Sequence, residues 1–263
     1  MRAMNIRVFT RTGGLAQLKA SFKKNWLHYL QEALGLAIFM SSACFFGGML
    51  ESKTSSWHAA LPNAFTRVTI MGIMMGATAL FIFYSPITAP SGSHINPAVT
   101  ITFLRLGKMC KYDAIFYIIF QLLGGIFAVH IMAFLMGKTL TAPPVNYVAT
   151  IPGQYGVLAT AFTEFIIAFI MMSIVLFTSA SQKLKKYTRM IAGCFVCIYV
   201  VIAGPISGFG MNPARTLASA IPSHIYTALW VYIVIPFAGM LLAAELFLQS
   251  QNQKMLPEQK RIL

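Results

Sequence analysis

The sequence predicts an all-α membrane protein, with six transmembrane helices and two re-entrant half-helices arranged as an inverted repeat. Three observations predict it. The 263-residue chain is 57% hydrophobic and only 10% charged, where a soluble domain carries about 25% charged residues. Its apolar residues gather into six runs, about 27–49, 63–86, 113–136, 157–180, 189–206 and 225–248. Each is close to the roughly 20 residues that a bilayer core requires of a helix. Two further segments repeat one another: Ser91-Gly-Ser-His-Ile-Asn-Pro-Ala-Val-Thr100 and Ser207-Gly-Phe-Gly-Met-Asn-Pro-Ala-Arg-Thr216.

The first run is longer than the roughly 7–15 residues of a signal-peptide core, so it reads as a transmembrane helix and not a cleaved leader. The chain therefore divides into a basic tail (1–25), one membrane domain (26–249) and a second tail (250–263), both tails expected in the cytoplasm. Within the domain, repeat 1 covers about 26–137 and repeat 2 about 156–249. The expected location is the cell membrane.

The net charge of +14 is placed as membrane topology requires, not as a nucleic-acid surface. Sixteen of the 20 Lys and Arg fall on one expected side. They are Arg2, Arg7, Arg11, Lys19, Lys23 and Lys24 before the first run; Arg105, Lys108 and Lys111 between the second and third; Lys183, Lys185, Lys186 and Arg189 between the fourth and fifth; and Lys254, Lys260 and Arg261 in the tail. Lys53, Arg67 and Lys138 fall on the other side, and Arg215 belongs to the second motif. Six spans with both ends cytoplasmic satisfy the positive-inside rule.

The short apolar stretches after the motifs, about 97–106 and 213–221, cannot cross a bilayer. Broken backbone at membrane depth is tolerated only inside protein or beside a wet cavity, so two half-helices that dip in and meet are expected. Gln31-Glu-Ala-Leu-Gly and Thr163-Glu-Phe-Ile-Ile also answer one another. Each half then holds three spans, an odd number, so the halves run in opposite directions and a solute path is expected between them.

The motifs have a physical reading. Asn is a strong N-cap and Pro suits the first helical position, so Asn96-Pro97-Ala98 and Asn212-Pro213-Ala214 should each start a half-helix. The cap oxygen accepts a backbone N–H, leaving the amide NH₂ to donate into the pore. The positive ends of both helix dipoles converge there. Neutral hydrogen-bond acceptors could pass; cations would meet a positive potential. A central water would turn its oxygen to both Asn residues, breaking the chain along which protons hop.

Arg215, three residues after Asn212, should share the pore face; an intramembrane Arg is a functional residue by default. The first motif carries Val99 there. Glu32 and Glu164 are intramembrane carboxylates, expected to bond the backbone of the adjacent broken loops, with coupling-ion sites as the lesser reading. Gln121 is expected to act similarly. His94 either lines the pore or packs the loop, and His130 should pack between helices. Cys44, Cys110, Cys194 and Cys197 read as small packing residues. No nucleophile–base pair, phosphate loop, metal site or cofactor motif is present; no enzyme activity is expected.

Over about 27–248 the chain resembles an aquaporin of the major intrinsic protein family, through both Asn-Pro-Ala motifs, Arg215 and the two glutamates. The resemblance implies a homotetramer in membrane lipid with one pore per protomer. It also implies pore-lining carbonyls at Gly92, Ser93 and His94 and at Gly208, Phe209 and Gly210. Exclusion by an Arg and by half-helix dipoles is the general account of aquaporin-type pores.

The family's outer filter has four positions, which ungapped counting places at Gly76, Val200, Phe209 and Arg215. Val in place of the His usual in water-selective members removes a donor and adds apolar surface. Phe209 and the stretch Gly204–Arg215 resemble glycerol facilitators; Thr216, where those carry Asp, and Tyr232 resemble water channels, whereas Ile233 does not. A one-residue insertion near Ser85-Pro86 would put Met75 in the filter instead of Gly76. The expected function is passive passage of water and small neutral solutes such as glycerol, without ions or protons. A strict water channel is the alternative, followed by a secondary transporter and a non-conducting structural protein.

Overall fold

The computed structural model describes residues 13–259, with side chains described through residue 252. Arg2, Arg7, Arg11, Lys260 and Arg261, and the side chain of Lys254, lie outside the described residues. Among those described, all regular structure is helical, and six helices are long and apolar enough to cross a membrane. They are α1 (Gly14–Glu51), α3 (Ala64–Tyr84), α5 (Lys111–Met136), α7 (Gly156–Ala180), α8 (Thr188–Ser207) and α10 (Leu229–Gln259). Between them lie the half-helices α4 (Pro97–Arg105) and α9 (Pro213–Ser223), and the short α2 (Ser56–Ala60) and α6 (Lys138–Thr141).

The apolar runs locate the spans but not their polar extensions. Helix α1 has 38 residues, about 57 Å at 1.5 Å per residue, far more than a bilayer core. Its first turns, with exposed Lys19, Lys23 and Lys24, fall in what the sequence assigns to a tail. Apolar patterning stops where the helix leaves lipid, although its backbone hydrogen bonding does not.

The two repeats pack as mirror schemes. Helix α1 lies against α3 and α5 as α7 lies against α8 and α10, and α3 meets α8 where the repeats join. Each half-helix rests on a long helix of the other repeat: α4 on α10, α9 on α5. Glycine permits the closest approaches. A side chain at Gly124 of α5 would strike the Ala33 carbonyl of α1, and one at Gly239 of α10 the Phe165 carbonyl of α7. Ala33 and Phe165 directly follow Glu32 and Glu164, so the same contact recurs in both halves.

The α3–α8 seam uses Gly76 and Gly193. A Cβ at Gly76 would lie 2.8 Å from that of Cys197 and 3.1 Å from the Gly193 carbonyl, and Gly193 faces the Gly76 carbonyl in return. Gly76 thus lies at a helix–helix contact. Gly76 and Gly193 are one residue further apart in sequence than Asn96 and Asn212. The extra residue falls in the turn between α3 and the first motif, after the cap at Ser85.

Candidate functional site

Each re-entrant loop is built on one buried carboxylate. Glu32 Oε1 accepts from Ser91 Oγ (2.6 Å) and the His94 N–H (2.9 Å), and Oε2 from the Ile95 N–H (2.6 Å) and Gln121 Nε2 (2.7 Å). In the second repeat Glu164 Oε1 accepts from Ser207 Oγ (2.6 Å) and the Gly210 N–H (2.8 Å), and Oε2 from the Met211 N–H. A buried carboxylate is tolerable only when hydrogen-bonded in this way. The arrangement ties two backbone N–H groups of each loop to its glutamate.

A tyrosine closes each loop from behind. Tyr117 donates to the Ser91 carbonyl and Tyr232 to the Ser207 carbonyl, each at 2.7 Å. Sequence reasoning gave these hydroxyls no role in the loops. The signal was available: in each half the tyrosine precedes the close-packed glycine, Gly124 or Gly239, by the same spacing. Gln121 also donates to Thr100 Oγ1 at 3.1 Å. The second repeat has Thr216 at the matching motif position, and its hydroxyl has no partner among the described residues.

The loops adopt left-handed backbone at matching places. Gly92 and Gly208 have φ of 95° and 77°, Ser93 and Phe209 both 50°, and Ile95 and Met211 41° and 49°. Positive φ in a β-branched residue such as Ile95 is strained; the glutamate bonds hold it. Gly92, Ser93, His94, Gly208, Phe209 and Gly210 all line the cavities described below. His94 does both things the sequence left open. It lines the cavity, and its ring stacks on Phe103 with centroids 4.7 Å apart.

The motif asparagines cap as the sequence predicts and are also cross-linked. Asn96 Oδ1 accepts from the Ala98 N–H (2.8 Å), and Asn212 Oδ1 from the N–H groups of Ala214 (3.0 Å) and Arg215 (3.2 Å). Asn96 Nδ2 donates to the Met211 carbonyl (2.9 Å), while Asn212 Nδ2 donates to the Ile95 carbonyl (2.7 Å). One N–H of each amide is therefore spent on the other repeat, and both asparagines line the larger cavity described below. Pro97 and Pro213 take the first helical positions.

Two cavities run between the repeats, of about 950 and 360 Å³. Phe39, Phe209 and Arg215 line both, so these residues mark the boundary. The larger is flanked by Ala79, Phe83, Asn96, Val196 and Asn212 and ends among Lys108, Lys185, Lys186 and Arg189. The smaller is flanked by Met71, Met75, Val148 and Val200 and ends near Glu51.

Met75, not Gly76, lines this space beside Val200, Phe209 and Arg215. Helical residues turn 100° each. With Gly76 packed on α8, its neighbour Met75 points inward, in one stripe with Met71, Ala79 and Phe83. The additional residue before the first motif accounts for the one-position error of ungapped counting.

Arg215 is oriented by the segment before α7. Its Nη1 donates to the Val148 carbonyl (3.1 Å) and to Thr150 Oγ1. Its Nε and Nη2 have no hydrogen-bond partner among the described residues. Val148, Thr150 and Phe39 carry no sequence pattern that marks them as site residues. His130 is exposed and bonds the Ile126 carbonyl of its own helix at 2.8 Å, so it does not pack between helices among the described residues of this chain. The cysteines are free, and no group of metal-ligating side chains occurs among the described residues.

A sequence model of the major intrinsic protein family matches residues 19–247. The chain is 36% identical over 189 residues to a probable NIP-type aquaporin of Nicotiana alata, covering 70% of this chain and 67% of that protein. It is 33% identical over 178 residues to aquaporin NIP1-2 of Arabidopsis thaliana, covering 65% and 60%. The match thus spans about three fifths to two thirds of these relatives' length. The fold is similar to the X-ray structure of the aquaglyceroporin from Plasmodium falciparum, with a TM-score of 0.69 and 19% identity over 84% of this chain and 95% of that one. With its six spans, paired half-helices and family match over most of its length, this multi-pass membrane protein belongs to the major intrinsic protein family, which comprises channels for water and small solutes and not enzymes.

Proposed function

We propose that the chain is a passive pore for water and small neutral solutes, glycerol among them, and that it rejects ions and protons. The observation carrying this reading is the outer constriction. Arg215 presents free guanidinium donors on one side; Met75, Val200 and Phe209 present apolar side chains on the others. A polyol can direct hydroxyl oxygens to Arg215 and its carbon-bound hydrogens to the apolar walls. A bare cation would meet a guanidinium and two helix N-termini while losing its hydration shell, and moving an ion into such a medium is costly.

Proton exclusion rests on the paired caps. Asn96 and Asn212 each keep one N–H toward the path, so a central water accepts from both and cannot relay a proton. The second reading, a strict water channel, is favoured by Met75, which fills space that a glycine would leave open. Met is flexible and adapts to irregular gaps, and Val200 supplies no donor that would narrow the opening to water.

The basic ends of α4 and α8 and the first turns of α1 belong on the cytoplasmic side by the positive-inside rule, with both termini there. A homotetramer in the cell membrane is the assembly we infer. Stopped-flow light scattering on proteoliposomes tests the solute reading: water and glycerol both cross well above the lipid baseline. Fast water with glycerol at the baseline would replace it with the strict water channel.

A further inference from the structure

The larger cavity ends in a ring of cations with no matching acids. Lys108, from the turn after α4, Lys185 and Lys186, from the α7–α8 connection, and Arg189, from the first turn of α8, line its mouth with the hydroxyl residues Ser179 and Thr188. None of the residues lining the cavity is acidic.

The described carboxylates are engaged elsewhere. Glu32 and Glu164 hold the loops. Glu51 pairs with Arg67 at 3.2 Å and Glu245 with Arg105 at 2.7 Å. Asp113 accepts from Asn25 (3.0 Å) and Tyr29 (2.6 Å). Arg105 is thus neutralised, whereas the four mouth cations have no ion pair among the described residues. The positive-inside rule requires basic residues on this side, but it does not require them around the pore opening.

Aromatic rings brace three of the cations. Lys108 Nζ lies 5.6 Å from the Phe103 ring centroid and 5.9 Å from that of Phe247; Lys186 Nζ lies 4.8 Å from Tyr187; the Arg189 guanidinium lies 6.0 Å from Tyr84. Cation–π contact attracts a charge to the face of a ring. Lys185 Nζ gives one hydrogen bond to Gln182, at 2.8 Å. A concave opening lined by one sign of charge concentrates counter-ions.

We propose that this mouth is a binding site for a polyanion bearing two or more phosphate groups, and that the bound polyanion blocks the pore from its basic end. Several phosphates are needed to engage cations contributed by two separate segments of the chain, around Lys108 and over 185–189. Charge-assisted hydrogen bonds of Lys and Arg to phosphate oxygens would supply the affinity. Phe103 and His94 lie behind the ring and line the solute path, so an occupant seated on it stands in that path. The chemistry is shared by soluble polyphosphates and by polyphosphorylated lipid headgroups.

The blocking step rests on the pore reading above, and the test separates the two. Water flux is measured in proteoliposomes of neutral lipid, in the same lipid with inorganic tripolyphosphate on both faces, and in lipid containing a phosphatidylinositol bisphosphate. Presence on both faces removes dependence on protein orientation. The control without polyanion reads the pore itself; absent flux there contradicts the pore, not this site, and the site is then judged by calorimetric binding of tripolyphosphate to detergent-solubilised protein.

Tripolyphosphate is expected to bind wild type and to lower its flux severalfold, less so as salt is raised. A variant with Lys108→Gln, Lys185→Gln, Lys186→Gln and Arg189→Gln keeps Lys19, Lys23, Lys24 and Lys183; it should bind about tenfold more weakly or worse and keep its flux. Block by tripolyphosphate assigns a soluble ligand, and block by the lipid alone assigns a headgroup. No block by either, or binding equally strong in the variant, overturns the proposal.

Discussion

Asn96 and Asn212 each close the other's loop: the amide of Asn96 donates to the Met211 carbonyl at 2.9 Å, and that of Asn212 to the Ile95 carbonyl at 2.7 Å. The acceptors belong to residues with positive φ, whose N–H groups the two glutamates hold. Caps, carboxylates and loops therefore form one reciprocal network across the pseudo-twofold. Asn212→Asp keeps a cap oxygen but removes the donor to Ile95 and adds negative charge between two helix N-termini. It should cost about 1–3 kcal/mol and admit cations. A thermal unfolding midpoint in detergent equal to wild type would contradict the network.

The glutamates separate a scaffold from an ion-coupled transporter. Glu32→Ala leaves the N–H groups of His94 and Ile95 without an acceptor, and leaves Ser91 Oγ only the Thr88 carbonyl and Gln121 Nε2 only Thr100 Oγ1. We expect it to destabilise the protein by about 3 kcal/mol or more. Flux through wild type should be the same with and without sodium and proton gradients. Flux that vanishes when the gradients are collapsed would make these carboxylates coupling sites.

Met75 and Gly76 make opposite predictions although they are adjacent. Met75→Ala widens the constriction and should raise the glycerol-to-water permeability ratio about two- to tenfold, with little loss of stability beyond the truncated side chain. Gly76→Ala inserts a methyl against Cys197 and the Gly193 carbonyl. It should lower the unfolding midpoint and leave the ratio unchanged. The reverse pattern would return Gly76 to the filter.

Val200→His adds a donor and bulk opposite the apolar walls. Glycerol permeability should fall about tenfold or more, and water permeability by less than half as much on a logarithmic scale. Equal losses of both would remove Val200 from the constriction.

The sequence was legible where a physical pattern extends over many residues. Six apolar runs correspond to α1, α3, α5, α7, α8 and α10, and the Asn-Pro cap signatures correspond to the starts of α4 and α9. It was illegible where one residue decides an orientation. The longer turn after Ser85 rotates α3 by 100° relative to a count from Asn96, which exchanges Gly76 for Met75. Contacts between distant segments left little or no local trace: Thr150 and Val148 orient Arg215 from a loop without a motif, and the Tyr117 and Tyr232 hydroxyls, marked only by a spacing to glycine that both halves share, reach carbonyls in other elements. The short α2 and α6 have too few residues to show a period.

The selective pore is tested most directly by Arg215→Val, with water flux and proton conductance read together in proteoliposomes holding a pH-sensitive dye. The account predicts fast water and no proton conductance above lipid for wild type, and fast water with a proton or cation leak for the variant. Proton conductance that is the same in both, whether absent or present, would contradict exclusion at Arg215.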